Sequence, residues 1–107
     1  MPFHTTVLYP NDPDTKFDMS YYLKTHMPLV MQHFGKHGLK GYEVTEYGPG
    51  GDGAKPPYCT GCTLKWDSPD QVGAAVGSPD SKPVFDDIPN FSNKEPIFMG
   101  GAVVDAK

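Results

Sequence analysis

The chain has 107 residues, 37% of them hydrophobic and 21% charged, with six Tyr, six Phe and one Trp, which excludes a disordered chain and predicts one domain over residues 1–107. Nine Lys and no Arg against thirteen acidic residues give a formal net charge of −4, which argues against a nucleic-acid-binding surface. No apolar run approaches the roughly 20 residues of a membrane span and no secretory leader pattern is present, so we expect a soluble, cytoplasmic protein with neither nucleic-acid nor membrane partners.

The first half of the chain predicts a strand, a long helix and a second strand. Phe3–Tyr9 alternates around β-branched residues and ends at a Pro-Asn-Asp-Pro turn, which is typical of a strand. Asp18 has the pattern of an N-cap, and apolar residues then recur every three or four positions up to Phe34, which predicts a helix with one buried stripe. Pro28 removes a backbone donor inside that helix and predicts a kink or restart. A second strand is predicted over Leu39–Tyr47.

The second half predicts a strand, two short helices and a last strand. Tyr58–Trp66 is rich in aromatic and β-branched residues, which favours a strand. Ser68 has the pattern of an N-cap followed by Pro, which predicts a helix to about residue 76. A shorter helix is predicted near Pro83–Ile88. Pro96–Val104 is apolar at nearly every position, which predicts a strand buried on both faces.

The order β-α-β-β-α-β predicts an α+β, ferredoxin-like fold in which both helices cover one face of a four-stranded antiparallel sheet. The last strand nevertheless presents apolar residues to both sides, with Phe98, Ala102 and Val104 on one side and Ile97, Met99 and Val103 on the other. Because an apolar sheet face is rarely left exposed, we expect a second copy of the sheet to cover it. The sequence therefore predicts a symmetric homodimer.

Two residue pairs have spacings that can indicate a redox or metal site. Cys59 and Cys62 form a C-x-x-C, but they fall in a predicted strand, where residues three apart point to opposite faces. Free thiols are the favoured interpretation. His33 and His37 are four residues apart near a helix end, but no third ligand is evident, so we interpret them as solvated and expect no metal.

Three segments resemble the EthD family: Leu8-Tyr9-Pro10, the stretch Phe17–Val30 with its Y-Y-L-x-x-H-M-P-L pattern, and Asp87-Ile88-Pro89-Asn90-Phe91. The resemblance covers about residues 3–104. It implies a dimeric α/β barrel, since the family belongs to that superfamily. The superfamily looks like a collection of small, often cofactor-free enzymes, among them monooxygenases, isomerases, polyketide cyclases and dehydratases, with some haem-dependent members.

His26 is the candidate catalytic residue. It lies in the segment that matches the family best, inside the predicted buried stripe and beside Pro28, and an imidazole there could exchange protons near neutral pH. The alternative is a core histidine bonded to a backbone carbonyl. Tyr9, Tyr22 and Tyr58 are candidates for lining the same cavity and orienting a substrate, although tyrosines in such positions are also ordinary core residues.

Asp87 and Asn90 flank the proline of the last matching segment. Either side chain could hydrogen-bond His26, set its tautomer and contribute to substrate binding. The alternative is an Asx cap within a loop.

These residues predict a small cofactor-free enzyme that uses acid–base chemistry on a hydrophobic, aromatic or polyketide-like molecule, of the dehydratase, cyclase or isomerase type. One alternative is an oxidoreductase or an oxygenase-associated protein of the EthD type. Another is a non-catalytic carrier or accessory protein. The sequence has no organic-cofactor fingerprint, but haem is not excluded, because one axial ligand would suffice and His26 is the first candidate for it.

Overall fold

Four strands form one antiparallel sheet with all the helices on one face, in a computed structural model that describes all 107 residues. In chain order the elements are β1 (Phe3–Pro10), α1 (Met19–Tyr21), a π-helical turn (Tyr22–His26), α2 (Met27–Phe34), a 3₁₀ turn (Gly35–His37), β2 (Gly41–Glu46), β3 (Tyr58–Trp66), α3 (Pro69–Val76), α4 (Ser81–Asp86), a second 3₁₀ turn (Ile88–Asn90) and β4 (Ile97–Ala102). No helix among them is both long and apolar enough to cross a bilayer.

The sheet has the strand order β2-β3-β1-β4, which confirms the predicted ferredoxin-like βαββαβ topology. Strand β1 lies in the middle and pairs antiparallel with β3 and with β4, so that Val7 is opposite Cys62 on one side and Phe98 on the other. Directly opposed residues share a sheet face. The odd-numbered residues of β1 therefore point toward the helices together with the even-numbered residues of β3.

The core lies between this sheet face and the helices. Its largest members include Tyr9 of β1, Tyr22 of the π-helical turn and Trp66 of β3, each only 2% exposed. The buried hydrophobic residues form one cluster: Val7, Tyr9, Tyr22, Met27, Val30, Phe34, Leu39, Cys62, Leu64, Trp66, Ala75, Val84 and Phe91.

The helical region starts where the sequence predicts it. The Asp18 carboxylate accepts a hydrogen bond from the Tyr21 backbone N–H at 3.0 Å and thus satisfies one of the free donors of the first turn. The Asp18 backbone N–H donates to the Phe91 carbonyl at 2.8 Å. The cap therefore also fixes the helix start against the segment that precedes β4.

The helix restarts at Pro28, one of the two predicted outcomes, because α2 begins at Met27 after a π-helical turn. Because Pro28 has no N–H, the Lys24 carbonyl has no α-helical donor, and the helix widens over Tyr22–His26 so that the Met27 N–H donates to the Tyr22 carbonyl. Tyr22 and His26 are both buried and their rings stack, with centroids 5.4 Å apart. The wide turn therefore brings both side chains to the inner side of the helix.

The prediction that β4 is buried on both faces is wrong for the single chain. All six of its residues are exposed, Phe98 at 55% and Met99 at 53%. The reason is that β4 is an edge strand that the helices cover only in part. The ring of Phe98 contacts Phe85 of α4, with the ring centroids 5.8 Å apart.

The N-caps of the two main helical regions predict unequal losses of stability when the cap side chain is replaced by Ala. Asp18→Ala removes a formed cap bond and should lower the free energy of unfolding by about 1 kcal/mol. Ser68→Ala is the matched control, because Ser68 occupies the N-cap of α3 without a side-chain cap bond, and it should cost less than about 0.5 kcal/mol. Urea unfolding of both variants measures the difference, and equal losses would contradict it.

Candidate functional site

A cavity of about 490 Å³ lies between the sheet and the helices, a volume typical of small-molecule sites. Its walls are apolar almost throughout, and no Lys, Asp or Glu lines it. The lining residues are Phe3, Thr5, Val7, Tyr9, Tyr22, His26, Met27, Val30, Phe34, Cys62, Leu64, Trp66, Pro69, Val72, Val76, Val84, Phe85, Ile88, Phe98, Met99 and Gly100.

His26 is the one imidazole in the wall, and its ring is fixed on three sides. It stacks on Tyr22 and lies 4.5 Å, centroid to centroid, from Phe91. Its Nδ1 is 2.9 Å from Oδ2 of Asp87. Because Asp87 is ionised and can only accept, Nδ1 of His26 carries the proton, and its N–H donates a hydrogen bond to Asp87. Nε2 has no hydrogen-bond partner in the protein, and His26 lines the cavity, so the Nε2 lone pair is free to accept from a bound molecule.

Asp87 is held from behind by two further donors. The Tyr21 hydroxyl and the Asn90 amide both donate to Oδ1, the amide at 2.9 Å. Burial by itself would raise the pKa of the Asp87 carboxyl, but the bonds from Tyr21, Asn90 and His26 outweigh it and hold that pKa below its usual value. Asp87 therefore stays ionised at neutral pH. Of the two candidates flanking the proline, Asp87 contacts His26, and Asn90 contacts Asp87 instead.

The environment keeps His26 uncharged at neutral pH. Burial lowers the pKa of the imidazole, and the neighbouring Asp87 carboxylate raises it again only in part, so that the pKa lies below the usual 6.5. A neutral imidazole with one occupied and one open nitrogen has the form that a general base requires.

Three weak acids lie beside His26 in the cavity wall. Burial raises the pKa of the Tyr9 and Tyr22 hydroxyls far above their usual value, and it raises the pKa of the Cys62 thiol to about 11. All three groups stay protonated at neutral pH, and the two hydroxyls can donate to an oxygen atom of a bound molecule.

Cys59 and Cys62 are free thiols, as the strand pattern predicted. Cys62 faces the cavity, whereas Cys59 is half-buried, with its sulfur 3.8 Å from the Pro10 carbonyl. The C-x-x-C spacing therefore brings no redox pair together.

Tyr58 is not part of the cavity wall. It lies at the first position of β3, opposite Pro10, where the register with β1 shifts by one residue after Tyr9. Tyr9 and Tyr22 do line the cavity, so the structure brings together two of the three candidate tyrosines.

His33 and His37 are only partly exposed, and both contact a carboxylate, which differs from the prediction that they are solvated. Asp80, just before α4, accepts from His33 Nδ1 at 3.1 Å, His37 Nε2 at 3.0 Å and Lys36 Nζ at 2.9 Å. The bonds from Lys36, His33 and His37 hold the pKa of Asp80 far below its usual value. No group of three or more His, Cys, Asp or Glu side chains is arranged to hold a metal ion.

Tyr21 is a site residue that sequence reasoning missed. The Tyr21-Tyr22 pair in the sequence could have indicated this role. Adjacent residues on a helix point about 100° apart, so the two tyrosines cannot both face the cavity. Tyr22 therefore reaches the cavity, and Tyr21 reaches the surface where Asp87 is bonded. Only the position of Asp87 in space reveals this role.

Comparison with known proteins identifies the fold. No family model and no curated protein matches the chain. An EthD-like protein of known structure from Ralstonia eutropha is 26% identical, with 99% of this chain and 95% of that chain covered and a TM-score of 0.89. An ethyl tert-butyl ether D (EthD) family protein from Bacillus halodurans is 21% identical, with 97% and 100% covered and a TM-score of 0.77.

SnoaB, a cofactor-independent oxygenase from Streptomyces nogalater, is similar in fold alone, at 8% identity, with 98% and 94% covered and a TM-score of 0.66. The fold and its cavity thus define the class, a small α+β protein of the ferredoxin-like type. Within that class the chain has the fold of the EthD-like proteins, which confirms the resemblance found in the sequence.

The buried imidazole predicts a specific pH dependence of stability. Below about pH 6.5 the unfolded chain binds a proton at His26 that the folded chain takes up only at lower pH, so this residue makes stability fall as the pH drops from 7 to 5. His26→Gln cannot titrate, and its free energy of unfolding should fall less over that interval. Urea unfolding at several pH values measures the free energy of unfolding of both proteins as a function of pH. Parallel curves would show that His26 titrates alike in the folded and the unfolded chain.

Proposed function

We propose that this protein is an enzyme that moves protons on a hydrophobic small molecule bound in the cavity, with His26 as the acid–base residue. The observation that supports this most is the state of the His26 ring, which is neutral and held by Asp87 through Nδ1 while Nε2 is open on the cavity side. Asp87 acts as a positioning residue, and Tyr21 and Asn90 hold Asp87 in turn.

The chemistry follows from what surrounds Nε2. A base next to protonated hydroxyls can remove a proton from carbon beside a carbonyl group, while the hydroxyls of Tyr22 and Tyr9 stabilise the enolate oxygen that forms. The imidazolium can then return the proton to another atom of the same molecule. This step is common to isomerases, dehydratases and aldol-type cyclases, and an aromatic or polyketide-like substrate suits an apolar cavity of this volume.

The proposed reaction needs no organic cofactor. Haem is the one group that the wider superfamily suggests, and Nε2 of His26 is free to act as an axial ligand. The cavity wall contains no Lys that could pair with the two propionates. The residues therefore fit haem poorly, and no step is derived through it.

Deuterium exchange at carbon tests the proposed chemistry without knowledge of the natural substrate. With 2-tetralone as a bicyclic ketone in D₂O, the protein should accelerate exchange of the protons next to the carbonyl, as followed by NMR. His26→Gln should lower that acceleration by about 10²-fold or more, because general acid–base catalysis is worth 10²–10⁴. Gln keeps a hydrogen-bonding group that can reach Asp87 without titrating.

His33→Gln is the matched control, since His33 bonds to Asp80 outside the cavity, and it should exchange at the wild-type rate. Wild-type exchange by folded His26→Gln would refute the assignment. Binding of the ketone without any acceleration by the wild-type protein would support a carrier instead. Consumption of oxygen with the ketone would support an oxygenase, as in the neighbour of similar fold.

We also propose that the protein is a homodimer that buries the open face of its sheet. On the face turned away from the helices, Leu8 of β1 lies opposite Ile97 of β4, and Met99 follows two residues later. Ile97 is 41% exposed in the single chain. An apolar patch of this kind is covered most simply by the same patch of a second copy about a two-fold axis.

Ile97→Lys should convert the dimer into a folded monomer. Because Ile97 is already exposed in the single chain, the lysine costs the monomer little but places two charges against each other across the proposed interface. Leu23→Lys is the control, since Leu23 is 47% exposed on the helical side, and it should stay dimeric. Sedimentation velocity measures the mass, and a wild-type monomer at micromolar concentration would refute the proposal.

A further inference from the structure

We infer that the cavity selects ligands that carry no charge and whose polar group lies at one end only. The inference concerns the cavity of the proposed function and rests on it for the orientation of the ligand toward His26. It deepens that proposal by naming the class of ligand, a neutral alcohol, phenol or ketone with a hydrocarbon body.

The charge requirement follows from the residues of the wall. None of them carries a formal charge at neutral pH, since the wall has no Lys, Asp or Glu and His26 is neutral. The one carboxylate near the cavity, that of Asp87, is already bonded to His26, Tyr21 and Asn90. A charged ligand group would therefore lose its hydration without gaining a partner, which is costly in an apolar site.

The polar requirement follows from where the hydrogen-bonding groups lie. The Tyr22 ring stacks on His26 and meets Tyr9 edge to face at 5.7 Å, and the Tyr22 hydroxyl lies beside the Cys62 thiol. These groups form one polar end. Trp66 is four residues beyond Cys62 on β3, about 13 Å along the strand.

The end of the cavity near Trp66 offers a ligand one hydrogen-bonding group, the Thr5 hydroxyl. The Trp66 indole N–H donates to the Thr5 hydroxyl at 3.1 Å, and the neighbouring ring is Phe34, 6.0 Å away. A second polar group on a ligand would lose its water at this end and could regain at most the one bond to Thr5, which already accepts from Trp66. Carboxylates, phosphates and molecules that are polar at both ends are thus disfavoured.

A series of naphthalenes of one shape separates these requirements. At pH 7, 2-naphthol should bind best, naphthalene and 2,6-dihydroxynaphthalene more weakly, and 2-naphthoate and 2-naphthylmethylammonium at least about tenfold more weakly than 2-naphthol, because each buries an unpaired charge. Quenching of the single tryptophan, Trp66, or calorimetry gives the Kd values. Equal affinity of 2-naphthol and either charged probe would overturn the charge requirement, and equal affinity of 2-naphthol and the diol would overturn the one-ended polarity.

Two measurements show whether the charge of the ligand and the polar end of the cavity cause these differences in affinity. Tyr22→Phe should reduce the preference for 2-naphthol over naphthalene by about threefold to tenfold, the worth of one hydrogen bond, whereas Tyr42→Phe, on exposed β2, should leave it unchanged. Binding of 2-naphthoate should strengthen about tenfold per pH unit from pH 7 toward pH 5 as the neutral acid becomes more abundant. Binding that does not change with pH would mean that shape, not charge, excludes the acid.

Protonation of His26 would also attract an anion at low pH, and the other titratable groups facing the cavity, Tyr9, Tyr22 and Cys62, stay neutral throughout. If 2-naphthoate binds His26→Gln with the same pH dependence, the effect comes from protonation of the ligand. If the pH dependence disappears in His26→Gln, the charge requirement is overturned.

If the naphthol preference holds but His26→Gln keeps full exchange activity, the proposed catalysis fails and the ligand class stands. If no probe binds at millimolar concentration, the inference fails together with the cavity's proposed role.

Discussion

The hydrogen bond between His26 and Asp87 is the contact on which the site depends. It joins the π-helical turn to the segment after α4, two parts of the chain 61 residues apart. A buried carboxylate needs several donors, and Tyr21, Asn90 and His26 together supply them. The bond in turn determines which imidazole nitrogen carries the proton and which faces the cavity. Without it the buried imidazole N–H would have no partner and Oδ2 of Asp87 would lose its donor, although Oδ1 would keep Tyr21 and Asn90, so orientation and stability depend on the same contact.

Periodicity and capping were enough to predict the topology, because these signals depend on neighbours in the sequence. The alternation in β1, the cap at Asp18 and the buried stripe containing His26 all follow from local rules. The restart of the helix at Pro28 was also predicted, but the π-helical form of the turn before it was not. A free carbonyl can be accommodated by a kink, a break or a wider turn, and only packing against the sheet decides among them.

Other features of the site depend on contacts that a sequence does not contain. A single shift of register after Tyr9 moves Tyr58 away from the cavity. The choice between Asp87 and Asn90 as the partner of His26 depends on how the 3₁₀ turn between them is oriented. The apolar pattern of β4 was interpreted as burial, but a pattern shows only that a strand is suited to burial, and an edge strand in a single chain has nothing above it.

The cluster around Asp80 has a consequence for the order in which the chain becomes structured. Asp80 ties α4, one wall of the cavity, to the end of α2 through His33, Lys36 and His37, more than 40 residues earlier. Such a contact stabilises the folding chain only after the long loop between its partners has closed. In addition, α4 itself buries just one side chain, Val84. The sheet can therefore assemble before this wall docks. Because the contact between Lys36 and Asp80 is ionic and partly solvated, salt weakens this part of the docking.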